Sequence, residues 1–266
     1  MLSLVNIEKY YPPLERPFKR NILREYLQYK ILEIIFNSET GRSLAFLGGT
    51  ALRILYNNGR FSEDLDFDNF GITERDFAAL AEEVRRGLEL QGYEVEIKNV
   101  FKGAYRSYIR FPGVLFENDI SALRDEKILI QIDTVPHAFD YAKDLKIINK
   151  FDVFTQVYAT PLDILLSQKI YAALNRPRAK GRDFYDIVFL LPQTKPNYSY
   201  LRDKVGINNG SELKERLVAK TSDLNFKELA EDIAPFLING EDNNKVKMFV
   251  PYIKSLEFNS PHNARS

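Results

Sequence analysis

Three aspartates recur at every second position a short distance after a glycine pair. The glycines are Gly48 and Gly49, and the aspartates are Asp64, Asp66 and Asp68. Side chains two residues apart on a β-strand lie on the same face. Asp64 and Asp66 would therefore be neighbouring carboxylates, and a divalent cation removes the repulsion between them. The spacing indicates a metal site, and the alternative is a solvated strand edge.

An EF-hand calcium loop is the competing metal site, because the three aspartates match the first three ligands of that loop. The sixth position of the loop requires glycine, and Asn69 occupies it here. The twelfth position requires a bidentate glutamate, and Arg75 occupies it. The sequence therefore excludes an EF-hand.

The glycine pair follows the buried segment SLAFL and precedes a predicted helix. Glycines let a phosphate approach the backbone closely, and the free N–H groups at the start of a helix point toward it. Thr50 either caps this helix or contacts a phosphate through its hydroxyl. The pair favours a phosphate site, and the alternative is an ordinary tight turn.

A lysine lies in an otherwise apolar stripe of a helix predicted over 161–174. This residue is Lys169, and it needs a partner because an unpaired buried ammonium is costly. In the next predicted helix, 182–191, Asp183 and Asp186 share one face. We expect the two helices to pack as an antiparallel pair that brings Lys169 toward one of these aspartates. One interpretation is a structural salt bridge, and the other is a part in a binding site.

The segment from Lys169 to Arg182 contains five cations and no acids. The cations are Lys169, Arg176, Arg178, Lys180 and Arg182. The whole chain balances 37 Lys and Arg against 37 Asp and Glu, so this turn is a local concentration of positive charge. It suits the phosphates of a nucleotide or of an RNA acceptor, and the alternative is a solvated loop.

The hydrophobic periodicity predicts the elements that position these residues. A leading amphipathic helix covers 18–37, a second helix runs from Thr50 to Asn58 with Gly59 as its left-handed stop, and a third covers 73–91. Strands are predicted for SLAFL, Phe61 to Phe67, YEVEIKNVF, YRSYIRFPG, KILIQIDTV and DVFTQVYA. Their alternating runs favour a mixed or antiparallel sheet over a doubly wound one.

From Pro161 onward the pattern becomes helical. The predicted helices are 161–174, 182–191, 211–220, 226–233 and 245–254. We therefore predict two domains, an α/β lobe with a leading helix at 1–158 and a helical lobe at 159–266.

The composition excludes several classes of site. The 266-residue chain has no cysteine, so disulfides, thiolate metal sites and a cysteine nucleophile are excluded. His137 and His262 are too few for a histidine-rich metal site. The N-terminal segment does not resemble a signal peptide, and no apolar run approaches the roughly 18 residues that cross a bilayer. We expect a soluble cytoplasmic protein without a membrane partner.

The segments LGGTALR and FSEDLDF together resemble the nucleotidyltransferase signature of the DNA polymerase β superfamily. More narrowly, they resemble the AbiEii/AbiGii toxin family, whose members often have GGTALR followed by SxDLDF. The segment QKIYAALNRPRAKGRDFYD is similar to a third motif of that family, a lysine followed by an arginine-rich turn and RDxxD. The resemblance covers about residues 40 to 192.

The resemblance implies an α/β fold in which a polymerase β-like nucleotidyltransferase lobe with a mixed sheet precedes a helical C-terminal lobe. This fold supplies a third acid from a neighbouring strand, and KILIQIDTV offers Asp133 on the face opposite its isoleucines. Asp64, Asp66 and Asp133 would then hold two Mg²⁺ ions about 3.5–4 Å apart for an in-line displacement. The alternative for Asp133 is a turn acid at the end of a strand.

The same resemblance implies that Lys169 contacts the incoming triphosphate, while Asp183 or Asp186 assists at the site or orients this lysine. Arg53 either reaches the phosphates or braces its helix. The candidate contacts of the nucleotide are Gly48, Gly49, Thr50, Arg53, Ser62, Lys169 and Arg182.

The implied protein is a type IV toxin that transfers NMP from an NTP to an acceptor in a Mg²⁺-dependent reaction. The acceptor would be RNA, such as the 3′ end of tRNA, and a cognate antitoxin would control the toxin. One alternative is a nucleotidyltransferase that modifies a small molecule. The other is a non-catalytic nucleotide-binding module on the same fold, which the presence of all three acids disfavours.

Overall fold

The computed structural model describes residues 2–136 and 138–258, so His137 and His262 lie outside the described part. The chain divides between Thr160 and Pro161 into two compact units. The first unit combines a sheet with helices, and the second is helical.

The first unit is built on a mixed sheet. Its strands are β1 (Leu44–Leu47), β2 (Leu65–Asn69), β3 (Glu96–Lys102), β4 (Ala104–Phe111), β5 (Ile128–Pro136), β6 (Asp144–Lys150) and β7 (Val153–Ala159). Their order across the sheet is β3-β4-β5-β2-β1-β7-β6. Strand β2 is antiparallel to β1 and parallel to β5, and β1 is parallel to β7. The prediction of a mixed sheet is confirmed, and the strand of aspartates lies at its centre.

Helices pack against one face of this sheet. The helices of the unit are α1 (Leu4–Glu8), α2 (Lys19–Asn37), α3 (Gly48–Tyr56), α4 (Glu74–Leu90) and α5 (Val114–Glu117). The rings of Phe36 in α2 and Phe67 in β2 are 6.0 Å apart between centroids, and those of Phe77 in α4 and Tyr105 in β4 are 5.9 Å apart. Because side chains alternate along a strand, Phe67 faces the helices and Asp66 lies on the opposite face of the sheet.

Several boundaries differ from the predicted ones for local reasons. Helix α3 begins at Gly48, two residues before the predicted start, because Gly48 has a φ of 80° that glycine adopts without strain. It ends at Tyr56, and the next residue, Asn57, takes the left-handed conformation that was expected of Gly59; asparagine is one of the few other residue types that tolerate it. The strand predicted from Phe61 to Phe67 is a loop as far as Asp64 and becomes β2 at Leu65. The sequence pattern did not predict β6.

The second unit is a set of short helices. They are α6 (Leu162–Asn175), α7 (Gly181–Leu190), α8 (Tyr198–Val205), α9 (Gly210–Thr221), α10 (Phe226–Ile233), α11 (Asn244–Lys247) and α12 (Phe249–Ser255). The side chains of Asn197, Asn209 and Asn225 accept hydrogen bonds from backbone N–H groups and so begin α8, α9 and α10. Across the described ranges of the chain, no helix has the length and apolar character needed to cross a bilayer.

Helix α7 packs very closely against α10. A Cβ added at Gly181, the first residue of α7, would lie less than 3.0 Å from the carbonyl oxygen of Leu229 in α10. Glycine is therefore required at this position so that the two backbones can approach each other.

We expect Gly181→Ala to lower the free energy of unfolding by about 1–3 kcal/mol, because the added methyl group forces α7 and α10 apart. Gly240→Ala is the matched control, since a Cβ there meets no atom within 4 Å. The measurement is the midpoint of urea unfolding followed by circular dichroism. Equal midpoints for the two variants would contradict the close packing.

Candidate active site

The carboxylate of Asp66 lies against the first residue of helix α3. A Cβ added at Gly48 would come closer than 3.0 Å to Asp66 Oδ2, and the φ of Gly48 is 80°. The pairing of β1 with β2 produces this contact, because Leu47, the residue before Gly48, is the register partner of Asp66. The glycine pair and the aspartate strand therefore meet at one point, where the positive end of the helix dipole faces a carboxylate.

The second glycine makes room for two polar side chains. A Cβ added at Gly49 would lie 2.8 Å from Ser62 Oγ and closer still to Arg60 Nη2. Arg60 is 3% exposed and donates a hydrogen bond to the carbonyl of Phe61 at 3.1 Å. The first turn of α3 is thus surrounded by a carboxylate, a hydroxyl and a guanidinium. Backbone N–H groups, Ser62 and Arg60 together can bind an anionic group such as a phosphate.

The loop before β2 is fixed from two sides. The fully buried Thr50 donates its hydroxyl hydrogen bond to the carbonyl of Asp64. Gln28 of α2 donates to the carbonyls of Ser62 and Glu63 at 3.0 and 2.9 Å. Thr50 does not cap α3, since its side chain is bound to this loop and α3 has no side-chain cap. Both contacts hold Ser62 and Asp64 beside the start of the helix.

Asp133 lies on β5, directly beside Asp66 of β2. The two residues are register partners in a parallel pair, so their side chains point from the same face of the sheet. The prediction that Asp133 comes from a neighbouring strand is confirmed. Asp133 also forms an ion pair with Arg106 of β4, with 3.0 Å between Arg106 Nε and Asp133 Oδ1, and accepts a hydrogen bond from Gln131.

The three predicted acids do not form a compact metal cluster. Within residues 2–136 and 138–258, no group of three or more His, Cys, Asp or Glu side chains is arranged to hold a metal ion. The donor chemistry nevertheless fits a hard divalent cation, because Asp66 and Asp133 present carboxylates side by side. Asp133 is drawn toward Arg106, so the two-ion site stays a prediction.

The third aspartate of the strand has a separate structural role. Asp68 is 8% exposed and accepts a hydrogen bond from the hydroxyl of Tyr141 at 2.6 Å. The same hydroxyl lies 2.8 Å from Thr160 Oγ1. Asp68 therefore ties the segment before β6 to the centre of the sheet.

Arg53 points into the interior of the first unit and braces α3. Its guanidinium pairs with Glu15 and, at 2.8 Å, with Glu25 of α2. Lys150 at the end of β6 approaches the other oxygen of Glu25, also at 2.8 Å. Of the two roles that the sequence left open for Arg53, these contacts support bracing. Glu25 is the centre of a buried network that ties α2, α3 and the β6–β7 hairpin together.

The balance of charges in this network sets the protonation of Glu25. Burial alone raises the pKa of the Glu25 carboxyl, but Arg53 and Lys150 lower it further than burial raises it. The carboxylate is therefore kept charged. Glu25 lies on α2, which the sequence identifies only as an amphipathic helix, and no local signal marks it as a partner of Arg53.

The charged residues of the second unit form another compact cluster. Lys169 Nζ lies 2.9 Å from Asp186 Oδ2 and 3.9 Å from Asp183 Oδ1. Arg176 Nε lies 2.9 Å from Asp183 Oδ2. The predicted pairing of the lysine with these aspartates is confirmed. Both aspartates are at most 1% exposed, whereas Lys169 retains 13% of its side-chain exposure.

The turn between α6 and α7 presents cations to solvent. Lys180 is 3.9 Å from Asp232, and Arg176 is held by Asp183. Arg178 and Arg182 are exposed, and in the described part of the chain neither forms an ion pair. Of the five predicted cations, Arg178 and Arg182 are therefore the ones that remain available to an anionic ligand, since Lys169, Arg176 and Lys180 are paired with acids.

Sequence reasoning missed Arg60, Gln28 and Arg24 in the first unit. Arg24 forms an ion pair with Glu63 at 2.6 Å. Burial lowers the pKa of the Arg24 guanidinium, and the nearby carboxylates of Glu63 and Asp64 oppose this effect. Arg60 directly precedes the motif FSEDLDF, and this position was the available signal. Gln28 and Arg24 gave none, because their contacts depend on how α2 crosses the loop.

Comparisons with known proteins agree with this geometry. The family described as nucleotidyl transferase AbiEii toxin, type IV TA system, matches residues 30–246. The structure of JHP933 from Helicobacter pylori is similar at a TM-score of 0.54 and 17% identity, over 88% of this chain and 91% of that one. A candidate nucleotidyltransferase from H. pylori is similar at a TM-score of 0.55 and 19% identity, over 91% and 98% of the two chains. A comparison with curated proteins finds no match.

The fold and the paired glycine and aspartate motifs define a nucleotidyltransferase. The chain belongs to the AbiEii family of nucleotidyl transferase toxins of type IV toxin–antitoxin systems. Membership implies an NTP substrate and an antitoxin partner. The two H. pylori structures, at these identities, support the fold.

We expect Glu25→Gln to lower the free energy of unfolding by about 3–5 kcal/mol at neutral pH, because Arg53 and Lys150 lose their buried counter-charge. The folded-state pKa of Glu25 lies below its usual 4.5. The contribution of Glu25 to the free energy of unfolding is therefore complete at pH values above its unfolded-state pKa. The contribution is lost as the pH falls through the lower, folded-state pKa. The difference between wild type and variant should therefore be constant above about pH 5.5 and shrink below 4.5.

Urea unfolding at a series of pH values measures this difference. Glu82→Gln is the control, since Glu82 is an exposed partner of Arg85 and is expected to contribute little. A difference between wild type and Glu25→Gln that persists unchanged into strong acid would contradict the assignment.

Proposed function

We propose that this protein transfers NMP from an NTP to an RNA acceptor, such as the 3′ end of tRNA, in the cytoplasm and with Mg²⁺ as cofactor. The observation that carries the proposal is the contact of the Asp66 carboxylate with Gly48 at the start of α3. It brings a cation-binding group and an anion-binding group to one place. An enzyme that transfers phosphoryl groups needs both groups, because it acts by positioning the reactants and by stabilising the charge that develops in the transition state.

Asp64, Asp66 and Asp133 are the residues that would hold two Mg²⁺ ions. Bound divalent ions neutralise the charge that develops on the α-phosphate and lower the pKa of the attacking hydroxyl. Thr50 and Gln28 act as positioning residues, because they fix the loop that carries Asp64. Arg106 would compete with the metal ions for Asp133. Binding of the ions by all three aspartates therefore requires the side chain of Asp133 to turn away from β4 and toward β2.

The start of α3 is the proposed site for the phosphates of the nucleotide. The backbone N–H groups at Gly48 and Gly49 and the hydroxyl of Ser62 would donate hydrogen bonds to them. Arg60, buried beside Gly49, adds a fixed positive charge at the same turn. Arg53 supports this turn from inside the unit and does not contact the nucleotide.

Within the second unit, Lys169 and Arg182 are the proposed cationic contacts for phosphate groups. Asp186 is the acid that orients Lys169, because it is the nearer of the two at 2.9 Å. Asp183 holds Arg176, the first arginine of the basic turn. A lysine held by a buried carboxylate keeps its direction, which suits it to a pyrophosphate leaving group.

The test is to incubate the protein with Mg²⁺, each labelled NTP and total tRNA. We expect Asp66→Asn to reduce label transfer by about 100-fold or more, which corresponds to about 2.7 kcal/mol in the barrier. Asp68→Asn on the same strand is the matched control and should stay near wild type, since Asn still accepts the hydrogen bond of Tyr141. EDTA should abolish transfer.

The outcomes separate the competing functions. Transfer to an aminoglycoside or another small molecule, with none to RNA, would support a small-molecule nucleotidyltransferase. Binding of NTP without transfer to any acceptor would support a non-catalytic module. Equal activity of Asp66→Asn and Asp68→Asn would reject the proposed metal ligands.

The two aspartates of the second unit should affect different kinetic constants. We expect Asp186→Asn to raise the KM for NTP by about tenfold, the equivalent of about 1.4 kcal/mol, because Lys169 loses its orienting charge. Asp183→Asn should raise the KM for the acceptor instead, since it releases Arg176. Steady-state kinetics with each substrate varied in turn measure both constants, and circular dichroism verifies folding. Identical effects of the two variants would contradict the division of roles.

A further inference from the structure

The face of β3 and β4 that points away from the helices carries a row of cations and one aromatic ring. Phe101 and Tyr105 contact Phe77 of α4 and so mark the helical side of this hairpin. Alternation places Lys98 and Tyr108, which are register partners, on the opposite side. We call Lys98, Lys102, Tyr108 and Arg110 on this side the outer stripe.

The outer stripe is strongly positive. Its lysines are exposed, and the guanidinium of Arg110 lies 5.9 Å from the centroid of the half-buried Tyr108 ring. Among the described residues of the hairpin, the acid on the same side is Glu96, and Lys127 neutralises it at 2.6 Å. In a chain without net charge, such a row is a local site for a polyanion.

The outer stripe leads directly to the proposed metal ligands. Arg106, next to Tyr108 on the same face of β4, is the register partner of Asp133, and Asp133 is the register partner of Asp66. Strands lie about 4.8 Å apart and rise about 3.4 Å per residue, so Tyr108 is roughly 12 Å from Asp66 along the sheet. A chain lying on the stripe would therefore bring its end close to the acids.

We propose that the outer stripe binds the single-stranded end of the polynucleotide acceptor. A base stacks on Tyr108, and Lys98, Lys102 and Arg110 contact the neighbouring phosphates. This inference rests on the proposed function, in that it assumes an RNA acceptor. It adds the surface that holds the acceptor and the requirement that the acceptor end be unpaired.

The chemistry of the stripe favours a single strand over other ligands. A flat ring flanked by cations matches a base flanked by phosphates, which is the pattern of proteins that bind single strands. The base faces of a duplex are stacked on one another and unavailable to such a ring. A small-molecule acceptor has no row of phosphates for three cations to contact.

The test is fluorescence anisotropy with a short labelled single-stranded RNA, in the absence of nucleotide. Tyr108→Ala should weaken binding by about 5- to 100-fold, whereas Tyr108→Phe should bind like wild type because it keeps the ring. Lys98→Gln and Arg110→Gln should each reduce the slope of log affinity against log salt by about 0.7. Circular dichroism verifies that each variant folds, and the two glutamine variants test the stripe even if Tyr108→Ala does not fold.

Phe116→Ala is the matched control. Phe116 is an exposed ring with Arg124 5.9 Å from its centroid, so it reproduces the pair of Tyr108 and Arg110 away from the stripe. It should bind RNA like wild type. Equal losses for Phe116→Ala and Tyr108→Ala, or equal competition by a duplex of the same composition, would overturn the proposal.

Transfer assays separate this inference from the proposed function. If the wild type labels tRNA and Tyr108→Ala keeps the wild-type KM for the acceptor, the stripe is rejected and the proposed function stands. If the wild type neither binds RNA nor labels it, the proposed function is rejected and the stripe with it. A raised acceptor KM with an unchanged KM for NTP in Tyr108→Ala supports both.

Discussion

The contact between the Asp66 carboxylate and the first residue of α3 is the constraint on which the remaining arrangement depends. A carboxylate can reach the backbone at this point because Gly48 has no side chain, and because its φ of 80° turns the chain from β1 into the helix. The same turn places the first residue of α3 beside the Asp66 carboxylate. A fold that separated these features would keep both motifs and lose the chemistry, because phosphoryl transfer requires cation and phosphate at one place.

Buried charge holds this contact in position. Glu25 is 3% exposed, yet it stays ionised because Arg53 and Lys150 surround it. A buried network of this kind contributes little net stability, but removal of one member leaves an unpaired charge, so the geometry is enforced. Gln28, one helical turn beyond Glu25 on α2, fixes the loop that leads to Asp64. Helix α2 thus acts on both sides of the site, on α3 through Glu25 and on the aspartate strand through Gln28.

Much of the fold could be predicted, with identifiable exceptions. Alternation of Leu65 and Phe67 with the aspartates predicted which side of β2 is buried, and the spacing of Lys169, Asp183 and Asp186 predicted their contact. Strand β6 was missed because its apolar residues do not alternate clearly with polar ones. Residues 245–254 were predicted as one helix and form parts of α11 and α12, with Met248 between them. These errors arise where the local hydrophobic pattern is weak and tertiary packing determines the secondary structure.

The sequence by itself indicated the reaction class through the resemblance of LGGTALR and FSEDLDF to the motifs of a known family, because such motifs are short and depend only on neighbouring residues. It also determined that Lys169 needs an acidic partner. Only the tertiary structure decided that Arg53 turns inward to Glu25, that Thr50 binds the Asp64 carbonyl, and that Arg106 pairs with Asp133. Those contacts join residues far apart in the chain. Strand register and helix crossing select them, and both are set by packing of the whole unit rather than by any single segment.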